Sequence, residues 1–225
     1  DFDIGSSSGV LTFVSTPNYE NPVDSNLNNE YIVIVTVTDS GGNTDSQTLT
    51  VSVTDVNEVP VITSNGGGST ASINDYPENS TSQVTTVTST DEDGTSTATY
   101  SISGGADAAD FDIDSSSGVL TFVSTPNYEN PVDSNINNEY IVIVQVSDGT
   151  NIDTQSITVN VTNIDDVDPV ITSNGGDSSD GINHPENSSS VVTTVTSTDE
   201  DNLPGTTYSK TGTDAAVFNI NSSSG

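Results

Sequence analysis

Asp110–Val144 reads DFDIDSSSGVLTFVSTPNYENPVDSNINNEYIVIV. Asp1–Val35 carries the same stretch with only Gly5 in place of Asp114 and Leu27 in place of Ile136. The two copies are offset by 109 residues, and Phe218–Gly225 begins a third by matching Phe2–Gly9. A period near 108 residues is too long for a solenoid repeat and matches the common size of an independent domain. The chain therefore reads as a slice through a tandem array, entered and left at the same phase. Expected units are the C-terminal half of a repeat over 1–56, a complete repeat over 57–163, and the N-terminal part of a third over 164–225. Arrays of this kind bear load, span distance or display a binding face more readily than they catalyse.

The charge balance is extreme, with 33 Asp and Glu against one Lys or Arg, a net charge of −32. Only 30% of residues are hydrophobic, and low hydrophobicity with high net charge is the usual signature of disorder. Repeated strand-like alternation argues the other way. The two are reconciled if a cation completes the fold. Nucleic acid and anionic membrane surfaces are excluded as electrostatic partners of a chain with a single cation, Lys210. Cysteine is absent, so neither disulfides nor thiolate zinc sites are available. No apolar stretch approaches the length of a membrane span, and no signal peptide is visible.

Short runs of Val, Ile, Thr and Tyr separated by Gly, Asn, Ser and Asp clusters predict strands with no helical periodicity. In the complete repeat they fall near Val59–Ser64, Gln83–Thr90, Ala98–Ser103, Asp110–Ile113, Val119–Val123, Glu139–Ser147 and Thr154–Thr162. Seven short strands in that length predict an all-β, immunoglobulin-like Greek-key sandwich. Along Tyr140–Val146, Tyr140, Val142, Val144 and Val146 form the expected core face. Ile141 and Ile143, repeated as Ile32 and Ile34, give the other face an apolar start. Loop cover explains that start most simply, and a lateral contact patch is the sharper alternative.

The carboxylates recur at fixed places. Pro77-Glu78-Asn79 is followed fourteen residues on by Asp91-Glu92-Asp93, and Pro185-Glu186-Asn187 in the same way by Asp199-Glu200-Asp201. Asn18-Tyr19-Glu20 and Asn127-Tyr128-Glu129 follow the fifth strand, Asp39 and Asp148 end a Val-x-Val-x-Asp strand, and acidic linkers run Asp55–Pro60 and Asn163–Pro169. Carboxylates converging within a few ångströms repel unless a counter-ion joins them. Oxygen-only sets of Asp, Glu and Asn suit Ca²⁺, which takes six to eight oxygens at about 2.3–2.6 Å. Zinc is disfavoured for want of Cys and His.

In that order and spacing, these motifs resemble a cadherin repeat over essentially the whole chain. The Asp-Val-Asn-Glu-x-Pro linker and the Asn-Tyr-Glu-Asn-Pro turn resemble the bacterial cadherin-like repeats of giant surface adhesins. The resemblance implies tandem cadherin-like sandwiches with two or three Ca²⁺ at each junction between domains. Carried over residue by residue, the first junction would use Glu20, Asp55, Asn57, Glu58, Asp91, Asp93 and Asp148. The second would use Glu78, Asn127, Glu129, Asn163, Asp165, Asp166, Asp199 and Asp201.

Nothing in the sequence supports catalysis: His184 and Lys210 each occur in one repeat only, and the many Ser and Thr lack an adjacent base. The expected function is a calcium-stiffened spacer of an extracellular adhesin or surface fibre, partnered by calcium and by neighbouring repeats. Alternatives are lateral or homophilic association of like chains through the isoleucine faces, and glycan binding, for which Tyr19 and Tyr128 are the only recurrent aromatic candidates. Insertion into a membrane is not expected.

Overall fold

Every second side chain of Tyr140–Val146 is removed from water: Tyr140, Val142, Val144 and Val146 are fully buried. A strand with one such face needs a second layer to cover it, and the chain supplies one from both flanks. The computed structural model describes residues 1–94 and 98–225, with fifteen strands and no α-helix among them. Residues 1–56 hold β1 (Phe2–Ile4), β2 (Leu11–Phe13), β3 (Glu30–Thr38) and β4 (Thr44–Ser52). The central unit holds β5 (Val61–Ile62), β6 (Thr70–Pro77), β7 (Thr85–Thr86), β8 (Ser89–Thr90) and β9 (Thr99–Gly104). It continues with β10 (Phe111–Ile113), β11 (Val119–Phe122), β12 (Glu139–Ser147) and β13 (Ile152–Thr162). Beyond it lie β14 (Val170–Ile171) and β15 (Ser197–Thr198), paired antiparallel.

In the central unit one sheet runs β6-β13-β12-β9 and the other β10-β11-β7, with a small β5-β8 pair beside them. Phe111 and Leu120 from the second sheet, with Ile62, Val84 and Val87, close over the β12 face and over Ile157, Val159 and Val161 of β13. The architecture is all-β, a Greek-key sandwich in tandem with its own partial copies. β12 holds the centre of its sheet, pairing with β13 on one side and β9 on the other. The same construction recurs in residues 1–56. Phe2 pairs with Phe13 as Phe111 pairs with Phe122. Tyr31 meets Phe13 edge-on at 5.2 Å as Tyr140 meets Phe122 at 5.1 Å.

All seven expected segments contain strand, but the count was incomplete. β6 was not anticipated; it pairs parallel with β13, and a bulge at Asn74-Asp75 breaks its alternation between Ile73 and Tyr76. The single strand expected over Gln83–Thr90 is split, because β7 pairs with β11 and β8 with β5. Ile141 and Ile143 are half-buried rather than a free patch. The segment Gly104–Asp107 runs against them, with Asp107 Oδ2 accepting from the Ile141 N–H at 2.7 Å. Only glycine fits at 105, where a Cβ would stand 2.4 Å from the Ile141 carbonyl. Ile32 and Ile34 are exposed because residues 1–56 contain no counterpart of β9 and its loop.

Within the long β11–β12 loop, the buried Asp133 carboxylate clasps its own segment. Asp133 Oδ2 and Oδ1 accept from the N–H groups of Asn137 at 2.9 Å and Asn138 at 3.1 Å, and its carbonyl accepts from Ile136 N. This clasp forces Ile136 to φ 58° while 72% exposed. A β-branched residue there is strained. Ile136→Asn should therefore raise stability by about 1 kcal/mol, read as a higher thermal midpoint. Leu120→Ala in the core should lower it by about 2–5 kcal/mol.

Candidate metal centres

Among the described residues three carboxylate groups form near the linkers, each with one oxygen per residue lying within 4.8 Å of the others. Glu20, Asp55, Glu58 and Asp93 form the first. Glu78, Glu129 and Asp166 form the second, and Asp165, Asp199 and Asp201 the third. The turns after β2 and β11 supply Glu20 and Glu129, the residue just after β6 supplies Glu78, and the linkers supply Asp55, Glu58, Asp165 and Asp166. The Asp-x-Asp turns after β8 and β15 supply Asp93, Asp199 and Asp201.

At the first junction the linker is laced to the central unit. Glu58 N donates to Asp93 Oδ2 at 2.9 Å, and Asn57 Nδ2 donates to Asp148 Oδ2 at 2.7 Å. Asn151 Nδ2 donates to the carbonyls of Asn57 and Glu58. Asn18 Nδ2 reaches across to Glu92 Oε2 at 2.9 Å. Burial, followed by the charges of Glu20 and Asp93, pushes the Glu58 carboxyl above its ordinary range, and its Oε2 is buried without a partner.

The second junction is drier. Glu78 is 1% exposed, and its two oxygens accept from Ile164 N at 2.9 Å and Tyr128 N at 2.8 Å. Asp201 is 3% exposed; its Oδ2 accepts from Asp166 N and Val167 N, while Oδ1 has no partner. Both oxygens of Glu129 and Oδ1 of Asn163 are also buried and unpartnered. Asn163 Nδ2 is spent on the Asp201 carbonyl, and Asn79 Nδ2 on Asp166. Burial raises the Glu129 and Asp166 carboxyls above their ordinary range, with Glu78 adding repulsion to both. Unpartnered buried acceptors are costly. Here they converge in oxygen-only sets, the chemistry of a hard divalent cation.

Not every expected residue joins a group. Asp91 Oδ1 accepts from Asp93 N, and Asp148 Oδ1 from Thr150 N and Asn151 N, so each shapes its own turn. Those backbone donors, Thr150 first, hold Asp148 below the usual carboxylate range. Asn127 Oδ1 accepts from Asn130 N at 2.6 Å, an Asx turn. Tyr19 and Tyr128 stand 40% and 36% exposed beside the groups. Asn79, Asn151 and Glu92 were not anticipated as parts of the junctions. The Asn79 amide donates to the Asp166 carboxylate, that of Asn151 to the linker carbonyls, and Glu92 accepts from Asn18, bracing roles that a search for metal-facing acceptors passes over.

Residues 72–162 match the family model described as Cadherin domain. The chain is 26% identical over 173 residues to the protocadherin-like wing polarity protein stan of Drosophila melanogaster, which covers 73% of this chain and 4% of that protein. The protocadherin gammaB7 EC3-6 cis-dimer structure superposes with a TM-score of 0.63 at 20% identity, covering all of this chain and 56% of that one. Human CDH23 EC21-23 gives 0.55 at 21% identity, over 88% of this chain and 61% of that one. Mouse cadherin-23 EC22-24 gives 0.54 at 17% identity, over 91% and 65%. The chain thus spans a small fraction of the curated relative and just over half of the first of these structures. Its fold is a cadherin-like β-sandwich, and residues 72–162 match the Cadherin domain model.

Proposed function

We propose that this chain is a run of extracellular adhesion-type domains whose junctions are stiffened by calcium, serving as a spacer in a large surface adhesin or fibre. The units divide at 57 and 164. The observation that carries the reading is Asp201, buried with an unpartnered oxygen in a three-carboxylate group formed by the second linker and the turn after β15. At the second junction Glu78, Glu129 and Asp166 would hold one ion and Asp165, Asp199 and Asp201 another. At the first, Glu20, Asp55, Glu58 and Asp93 would hold one. A bound Ca²⁺ supplies charge neutralisation and a fixed coordination geometry.

The chain's own residues do the rest. Linker N–H groups of Glu58, Asp166 and Val167 fix the carboxylates of the following turn, and Glu78 binds the linker through Ile164 N. The group of Glu20, Asp55, Glu58 and Asp93 and that of Glu78, Glu129 and Asp166 draw on segments from both sides of a junction, so an ion held in either resists bending, while an ion held by Asp165, Asp199 and Asp201 fixes the linker to the turn of the following unit. The near-identity of Asp1–Val35 and Asp110–Val144 supports multiplication of one segment for length. Among the described residues no helix is long and apolar enough to cross a membrane.

Calcium, with magnesium as control, should raise the thermal midpoint by mass action and extend the small-angle scattering profile. An unchanged melt and length in millimolar calcium would overturn the proposal. Glu78→Gln should weaken the calcium-dependent rise.

Protons should compete with the ion. The folded Glu58, Glu129 and Asp166 carboxyls titrate above their ordinary values, so between the ordinary and the raised value the folded chain binds more protons than the unfolded one. Stability of the calcium-free chain should therefore rise as pH falls from 7 through the raised values, and be lost as pH rises through them. With calcium saturating, acidification should instead lower the midpoint, as protons displace the ion. Melting curves from pH 7 to 5 with chelator and with calcium check both signs.

A further inference from the structure

Away from the carboxylate groups, a cavity of about 270 Å³ opens beside the turn after β11, lined in part by Asp110, Phe122, Pro126, Val132 and Tyr140. It recurs at the same positions in residues 1–56, where about 200 Å³ is lined by Asp1, Phe13, Pro17, Val23 and Tyr31. Phe122 is half-buried, Pro126 is buried and Val132 is exposed, so the cavity has apolar walls that reach solvent. A concave, largely apolar space with a few convergent polar groups is where a small ligand or a partner's side chain fits.

The acid in this cavity is unlike its neighbours. Asp107 and Asp133, each 3% exposed, have their oxygens committed to backbone. Asp107 accepts from Ser134 N at 2.6 Å and Ile141 N at 2.7 Å, and Asp133 from Asn137 N and Asn138 N. Neither can turn away. Asp110 is half-buried, and no N–H or O–H of the described residues holds its carboxylate. Burial, followed by the charges of Asp107 and then Asp133, pushes it above its ordinary range. The negative field of three acids thus reaches the cavity through one unsatisfied carboxylate. A hard metal ion suits this place poorly, because it takes six to eight oxygens and Asp110 joins none of the carboxylate groups among the described residues.

We propose that the cavity binds a primary ammonium group carried on an alkyl stem, the chemistry of a lysine side chain. Asp110 pairs with the ammonium, while Phe122, Pro126 and Val132 pack along the stem, as apolar surfaces do with lysine methylenes. A compact point charge suits a single carboxylate without a fixed fork of acceptors. The chain has one Lys or Arg and a net charge of −32, so the cation comes from another molecule. In residues 1–56 Asp24 has the same two backbone donors as Asp133, but Asp107 has no counterpart, so that copy binds more weakly. The array thereby carries a lateral hold for a lysine-bearing partner, repeated with the sandwich and set apart from its junctions.

The test is a residue-resolved amide chemical-shift titration of the whole chain in millimolar CaCl₂ and about 0.15 M NaCl, where screening over about 8 Å suppresses diffuse attraction to the other acids. Nα-acetyl-lysine N-methylamide should give saturable shifts centred on Asp110 and Phe122, and its norleucine counterpart, with no ammonium, should give none. Asp110→Asn should weaken binding by about tenfold, as loss of a charge-assisted contact does. Its thermal midpoint should not fall, because the change removes repulsion. Asp112→Asn, the same charge change at an exposed position, should bind as the wild type does. Tighter binding of the lysine derivative than of n-butylamine would assign the site to a protein side chain, and the reverse order to a free amine; either supports an ammonium site. Equal binding of the norleucine probe, unchanged affinity in Asp110→Asn, an equal loss in Asp112→Asn, or unsaturable shifts spread over the acidic surface would overturn the inference.

Discussion

Glu78 is the point on which the arrangement of units turns. It follows β6 directly, lies almost wholly out of solvent, and spends its two oxygens on backbone N–H groups from two other segments, the Tyr128 turn and the Ile164 linker. A carboxylate removed from water is tolerable only when such donors or a counter-ion meet it. Here both conditions shape what surrounds it. The donors draw the turn and the linker together, and drawing them together brings Glu129 and Asp166 alongside Glu78. The mutual repulsion of the three leaves a need for positive charge that a chain with one lysine cannot meet from its own side chains.

The sandwich supplies the rigidity that this requires. β12 and β13 share nine residue pairs, and their inward faces are closed by Phe111, Leu120 and Ile62. The turns that carry the acids emerge from that frame at fixed places, after β8, β11 and β15 and at the ends of β6 and β13. Carboxylates on frames of this kind cannot retreat from one another by loop motion, so their repulsion is stored at the junctions. An acidic surface free to spread would show ordinary titration. Burial first, and neighbouring carboxylates after it, push Glu58, Glu129 and Asp166 above their ordinary range, while local donors, the N–H and hydroxyl of Ser117 first and then Ser116, hold Asp114 below it.

What was legible in the sequence follows from periodicity. β12 was readable to the residue because both of its neighbours are antiparallel and its alternation is unbroken. β6 was not, because an edge strand pairing parallel, with a bulge and a terminal proline, shows little alternation. The recurrence of the acids marked the junctions as wholes. Their partition did not follow from recurrence, since Asp91, Asp93 and Asp148 look alike in the sequence yet only Asp93 joins a group.

The sequence by itself determined the repeat, its period, the core face of β12 and the inventory of junction acids, because these depend on side-chain pattern and charge along one dimension. Only the tertiary structure decided that Ile141 and Ile143 are covered by the segment at Gly104–Asp107. It alone decided that Asn57 is taken by Asp148 while Asp165 stands free to face Asp199 and Asp201. Those outcomes depend on which backbone N–H groups reach which oxygen first, and residues 34 to 91 positions apart in the chain meet there only after the sheets have packed.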